Sequence, residues 1–97
     1  MEKEIKPFYF FNAVGDYSGI LACSLKEFLE AIRKVKIESI EFHLYRDDFQ
    51  KWITDMGHKK LVNELNKIKK SKLKEDKLRT KIIDTVSSFL NKEKKRK

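Results

Sequence analysis

The chain has 97 residues, a mass of 11.6 kDa, 39% charged side chains and a net charge of +8, a size that limits it to one domain around one core. Its single cysteine, Cys23, excludes an intramolecular disulfide and a multi-cysteine zinc site, and reads as a small buried hydrophobe. No apolar run approaches the roughly 20 residues of a membrane-spanning helix, and the leader Met1–Lys6 is charged where an export signal needs an apolar stretch, so a cytoplasmic protein without a membrane span is expected.

In chain order, the aromatic run Pro7-Phe8-Tyr9-Phe10-Phe11-Asn12 predicts a strand over about 7–13. Gly15-Asp16-Tyr17-Ser18-Gly19 has turn chemistry, and Ile20-Leu21-Ala22-Cys23 resumes an apolar run. Together they predict a β-hairpin. A hairpin alone is marginal in water, so its apolar face must lie on helices or on a second copy of the chain.

A first helix over 24–35 opens with Ser24 as N-cap and Glu27 three residues on, a capping box, and carries Leu25, Phe28, Leu29, Ile32 and Val35 on one side. The second, over 39–56, places Phe42, Tyr45, Phe49, Trp52, Ile53 and Met56 in one narrow sector and His43, Asp47, Gln50 and Thr54 opposite, with Arg46 on the flank. Ile40 and Leu44 form a smaller apolar edge, and Gly57 is the expected stop. A third helix over 59–70 carries Leu61, Val62, Leu65 and Ile68. A fourth over 74–91 carries Leu78, Ile82, Val86, Phe89 and Leu90, with acids at its start and lysines at its end as the helix dipole favours. The expected fold is α+β, an N-terminal antiparallel hairpin followed by about four helices in one compact domain over 1–91. A basic disordered tail is expected over 92–97.

Charge is unevenly distributed: residues 1–56 sum to −2 and residues 57–97 to +10. Clustered positive charge attracts polyanions at long range. The candidate nucleic-acid contacts are Lys59, Lys60, Lys67, Lys69, Lys70, Lys72, Lys74, Lys77, Arg79 and Lys81, continued by Lys92, Lys94, Lys95, Arg96 and Lys97. Lysines outnumber arginines 19 to 4, which favours phosphate contact over base reading. The plainer account is a solvated face on a lysine-rich, glutamine-poor chain of hyperthermophile-like composition, although ion-pair networks of that kind need acids that the last 41 residues largely lack. The aromatics Phe8 to Phe11 read as core before they read as a base-stacking platform.

The stretch from Phe8 to about Leu65 resembles a family of small archaeal proteins of unknown function. The resemblance lies in the aromatic strand, the helix start Ser24-Leu25-Lys26-Glu27-Phe28, and the pattern His43, Arg46, Asp48, Phe49 and Trp52. It implies an archaeal source and an α+β domain, and it brings no established activity with it.

On the polar face of the second helix, His43 and Asp47 one turn apart, with Arg46 and Gln50, would make a small ligand or partner face, or in the extreme an acid/base site. The bland alternative is an exposed face with ordinary i,i+3 and i,i+4 pairs. His43 and His58 lie on different elements, so no metal is expected, and no nucleophile elbow, phosphate loop or cofactor motif occurs. An enzyme is not expected. The leading expectation is non-specific binding of nucleic acid or a ribonucleoprotein surface through the lysine-rich C-terminal half. The alternative is a protein-interaction adaptor using His43, Arg46, Asp47 and Gln50, with a hairpin-mediated homodimer as a variant.

Overall fold

A computed structural model describes the backbone over residues 6–95 and the side chains over 6–92. The hairpin consists of β1 (Phe8–Ala13) and β2 (Asp16–Ala22), paired antiparallel. Its turn is tighter than the sequence suggests: Val14 and Gly15 alone close it, Gly15 at φ +79°, and β2 already begins at Asp16. The glycine-rich stretch is instead spent within β2, where the register shifts between the Phe10–Ile20 and Phe11–Tyr17 pairs and Gly19 takes φ +86°. A bulge there bends the strand.

Among the described residues five helices follow, against about four expected: α1 (Leu25–Lys34), α2 (Ile37–Tyr45), α3 (Asp48–Asp55), α4 (Lys59–Ser71) and α5 (Glu75–Lys95). The extra one arises because the expected helix over 39–56 is broken at Asp47, which adopts the left-handed conformation at φ 67°, ψ 19°. Aspartate tolerates that region better than most non-glycine residues. The break rotates α2 relative to the continuous helix, so its buried side becomes Ser39, Ile40, His43 and Leu44, the edge that looked minor, while Tyr45 is left exposed. α5 continues to Lys95, so the basic segment expected to leave the domain after Asn91 begins inside a helix, and Arg96 and Lys97 lie outside the described residues.

Local chemistry sets the other boundaries. The Glu27 amide donates to Ser24 Oγ at 3.1 Å and Glu27 Oε1 accepts from the Cys23 amide at 2.7 Å, so the capping box forms with its return bond one residue upstream. Cys23 itself is exposed, contrary to the core role expected of it, because it sits at this strand-to-helix corner with its backbone held and its side chain facing out. At the end of α3, Gly57 at φ +89° and His58 return bonds to the carbonyls of Thr54 and Ile53, closing the helix in a Schellman motif.

The core joins the two layers. Phe8 and Phe10 of β1 meet Phe28, Phe49 and Trp52 in a knot of edge-on and tilted rings, and Leu61, Leu65, Leu78, Ile82 and Val86 continue it through α4 and α5. Fully burying a ring such as Phe28 stabilises the fold by about 2–3 kcal/mol. Among the described residues no helix is long and apolar enough to cross a membrane.

Candidate functional site

The His43, Arg46, Asp48, Phe49, Trp52 pattern has a structural explanation. The break at Asp47 brings Asp48, rather than Asp47, to His43: the ring Nδ1 lies 2.8 Å from Asp48 Oδ2. The other ring nitrogen, Nε2, accepts the Phe11 backbone amide of β1 at 2.8 Å. Since Nε2 must carry a lone pair to accept, the proton sits on Nδ1 and the imidazole is neutral. Burial among Phe8, Phe42 and Phe49 pushes the His43 pKa down, outweighing the hydrogen bond and charge of Asp48 that pull it up, while Arg46 adds to the lowering. Arg46 Nε reaches the same Asp48 oxygen at 3.4 Å, and its guanidinium lies 4.7 Å from the Phe42 ring centre. Trp52 Nε1 donates to the Lys6 carbonyl at 2.7 Å. The pattern therefore fastens the start of the hairpin to α2 and α3.

The four residues expected to share one polar face are dispersed. His43 and Gln50 are buried, Asp47 faces Lys69 at 2.8 Å, and Arg46 is exposed above Phe42. Gln50 Nε2 donates to the Leu44 carbonyl, closing the end of α2, and to Asn66 Oδ1 of α4. Their helical alignment held only for an unbroken helix. A groove of about 550 Å³ does open beside His43, between Phe11, Phe42 and Trp52, but both imidazole nitrogens beneath it are engaged.

The basic set is likewise sorted by the fold. Between α4 and α5 runs an open groove of about 1110 Å³, with Lys59, Lys60, Lys67 and Lys70 on one wall and Lys81 and Lys92 on the other. Its acids among the described side chains are Glu64, which pairs with Lys67 at 3.3 Å, and Asp84. The first turn of α4 holds lysines and no acid, and its N-cap His58 makes no capping bond, so the positive end of the helix dipole adds to the lysines there. Lys69 is tied to Asp47, and Lys72, Lys74 and Lys77 lie around the α4–α5 corner, outside the groove. The side chains of Lys94, Lys95, Arg96 and Lys97 lie outside the described ones.

Arg79, also in the expected basic set, is engaged within the fold. Its Nη1 donates to the carbonyls of Ile32 and Val35 at 2.6 and 2.7 Å, satisfying the end of α1. It is a strut between α5 and α1.

Sequence reasoning passed over the groove's uncharged lining, above all His58, Asn63, Ser88 and Phe89. The signal was available: positions 60, 63, 67 and 70, and again 81, 84, 85, 88 and 92, recur at spacings of three and four and so share one helix side each. Only the packing of the two helices shows that the sides face each other.

The hairpin's outer surface is aromatic. Tyr9 and Tyr17 are both more than two-fifths exposed, with rings 5.7 Å apart, and Leu21 is paired across from Tyr9.

No curated protein and no solved structure gives a significant match to the chain. A family model does match, over residues 2–87, so the span of agreement takes in the hairpin, the His43–Trp52 fastening, α4 and most of α5, and the chain belongs to the family of unknown function DUF5752.

Proposed function

We propose that the protein binds nucleic acid, or the nucleic-acid surface of a ribonucleoprotein, without sequence specificity, through the α4/α5 groove. The observation that carries the reading is the placement, among the described side chains, of six lysines on the two facing walls of that groove against two acids, Glu64 and Asp84. Lysines on both sides of a channel hold a chain of phosphates by charge while asking nothing of the base sequence. The scarcity of arginine points the same way, because the bidentate fork that reads guanine is nearly absent.

The test is fluorescence anisotropy of labelled DNA and RNA across a salt series, using the full chain and two triple variants. Lys60→Gln with Lys67→Gln and Lys81→Gln removes three of the groove's six lysines, from both walls; Lys72→Gln with Lys74→Gln and Lys77→Gln removes as much charge from the corner. The wild type is expected to lose affinity with a log–log salt slope of about −4 to −5 if six phosphates are neutralised. The groove triple should reduce that slope by about 2 to 3 units and the corner triple by much less. Absence of binding at low salt, or equal effects of the two triples, would sink the proposal.

A second reading, self-association through the hairpin, is favoured by the exposed Tyr9, Tyr17 and Leu21 surface. Light scattering of the wild type against Tyr9→Ser with Leu21→Ser tests it, a dimer that becomes a monomer being the expected outcome.

A further inference from the structure

We infer that the nucleic acid held in the α4/α5 groove is a single strand, and that one of its bases lies unpaired against the His58–Phe89 ring pair. The inference rests on the groove reading above and adds the form of the polymer to it. Three observations carry it.

The first is shape. The lysines line a concave cleft between two neighbouring helices instead of crowning a convex ridge. Packed helices lie about 8–10 Å apart, axis to axis. A duplex, whose major groove alone is about 12 Å wide, is too broad to enter such a cleft. It would rest across the crests of the two helices, whereas a single strand is narrow enough to follow the furrow between them, within reach of lysines on both sides.

The second is the aromatic pair. His58, at the head of α4, and Phe89, on α5, bring their rings to 5.0 Å at an interplanar angle of 67° inside the groove lining. Both are only partly buried, unlike the closed ring knot around Phe28 and Phe49. An open ring among phosphate-binding lysines is the combination by which single-strand binders hold their ligand: the cations follow the backbone, and the ring takes a base face that a duplex keeps stacked inside.

The third is the polar lining. Asn63, Thr85 and Ser88 line the same groove and offer hydrogen-bond donors and acceptors that base edges can use.

The experiment uses the full chain and three probes of equal phosphate count: an oligothymidine, the same oligomer with abasic sites throughout, and a duplex with as many phosphates. Phe89→Leu keeps an apolar side chain against the core and removes the aromatic face; circular dichroism checks that its helices are intact. At matched salt the oligothymidine is expected to bind at least tenfold tighter than the duplex. Replacing it with the abasic oligomer, or Phe89 with Leu, should each cost about 5- to 100-fold, the range of one lost base stack, with the salt slope unchanged. The abasic probe reads the stack without any mutation, so the test stands even if Phe89→Leu does not fold. Equal or tighter duplex binding, or an abasic oligomer that binds as well as oligothymidine, would overturn the single-strand inference while leaving the polyanion reading intact. No binding to any probe would overturn both.

Discussion

His43 Nδ1 lies 2.8 Å from Asp48 Oδ2, and the opposite nitrogen of the same ring accepts the Phe11 amide at 2.8 Å, so one imidazole joins the start of α3 to the edge of β1. Protonating Nε2 would set one N–H against another and bury a charge among Phe8, Phe42 and Phe49. The folded-state pKa of His43 therefore lies below the ordinary value of about 6.5, chiefly because burial disfavours the charged form. As pH falls through 6.5 the unfolded chain takes up the proton first, so the stability contributed by neutral His43 is fully present above that pH and is lost below it, down to the folded pKa. The expected result is a gap in melting temperature between wild type and His43→Gln that is larger at pH 7.5 than at pH 5.5. Groups common to both chains cancel in that gap, and a pH-independent gap would refute the neutral, doubly bonded imidazole.

Trp52 makes a comparable tie with its polar tip. Its Nε1 donates to the Lys6 carbonyl at 2.7 Å, while its ring packs at 5.5 Å from Phe8 and 5.7 Å from Phe28. Trp52→Phe keeps most of the ring contact and removes the donor. It should cost about 0.5–1.5 kcal/mol in urea denaturation, the net worth of one hydrogen bond. Faster amide exchange at the start of β1 should accompany it.

What could be read in advance was whatever depends on neighbours in sequence. The Ser24/Glu27 cap, the Gly57 stop and the amphipathic stripes of α1, α4 and α5 all express i to i+4 chemistry. The break at Asp47 was hidden because no glycine or proline marks it and the apolar period from Phe42 to Met56 runs straight through it. Its partners lie outside helical i to i+4 spacing: Asp48 bonds His43 five residues back, Gln50 the Leu44 carbonyl six back, and Asp47 reaches Lys69 on α4. The candidate site was legible as a charge imbalance but not as a groove, since whether Lys67 and Lys81 face each other depends on how α4 meets α5.

Gly57 supplies a test of the helix punctuation. It ends α3 at φ +89°, and a Cβ built there meets no atom within 4 Å, so any cost of Gly57→Ala is backbone strain without a steric clash. A destabilisation of about 1–2 kcal/mol is expected by chemical denaturation. Gly57→Asn should recover part of it, because asparagine tolerates the left-handed region better than alanine does.

Arg79 and Lys81 are two residues apart on α5, and both belong to the basic half of the chain, yet the structure gives them different surroundings. The Arg79 guanidinium is spent on the Ile32 and Val35 carbonyls, 47 and 44 residues earlier in the chain, whereas Lys81 is exposed on the wall of the groove. Arg79→Ala leaves the last carbonyls of α1 without that partner and should destabilise the fold by about 1–3 kcal/mol. Arg79→Lys should recover little, because a single ammonium on a shorter reach replaces a planar fork. Neither change should alter the salt slope of nucleic-acid binding under conditions where the chain stays folded. Lys81→Gln should do the reverse, leaving the unfolding free energy within about 0.5 kcal/mol of wild type and lowering the salt slope by about 1. If Arg79→Ala weakened binding as Lys81→Gln does while leaving stability unchanged, Arg79 would belong to the phosphate contacts and the strut between α5 and α1 would be of no consequence.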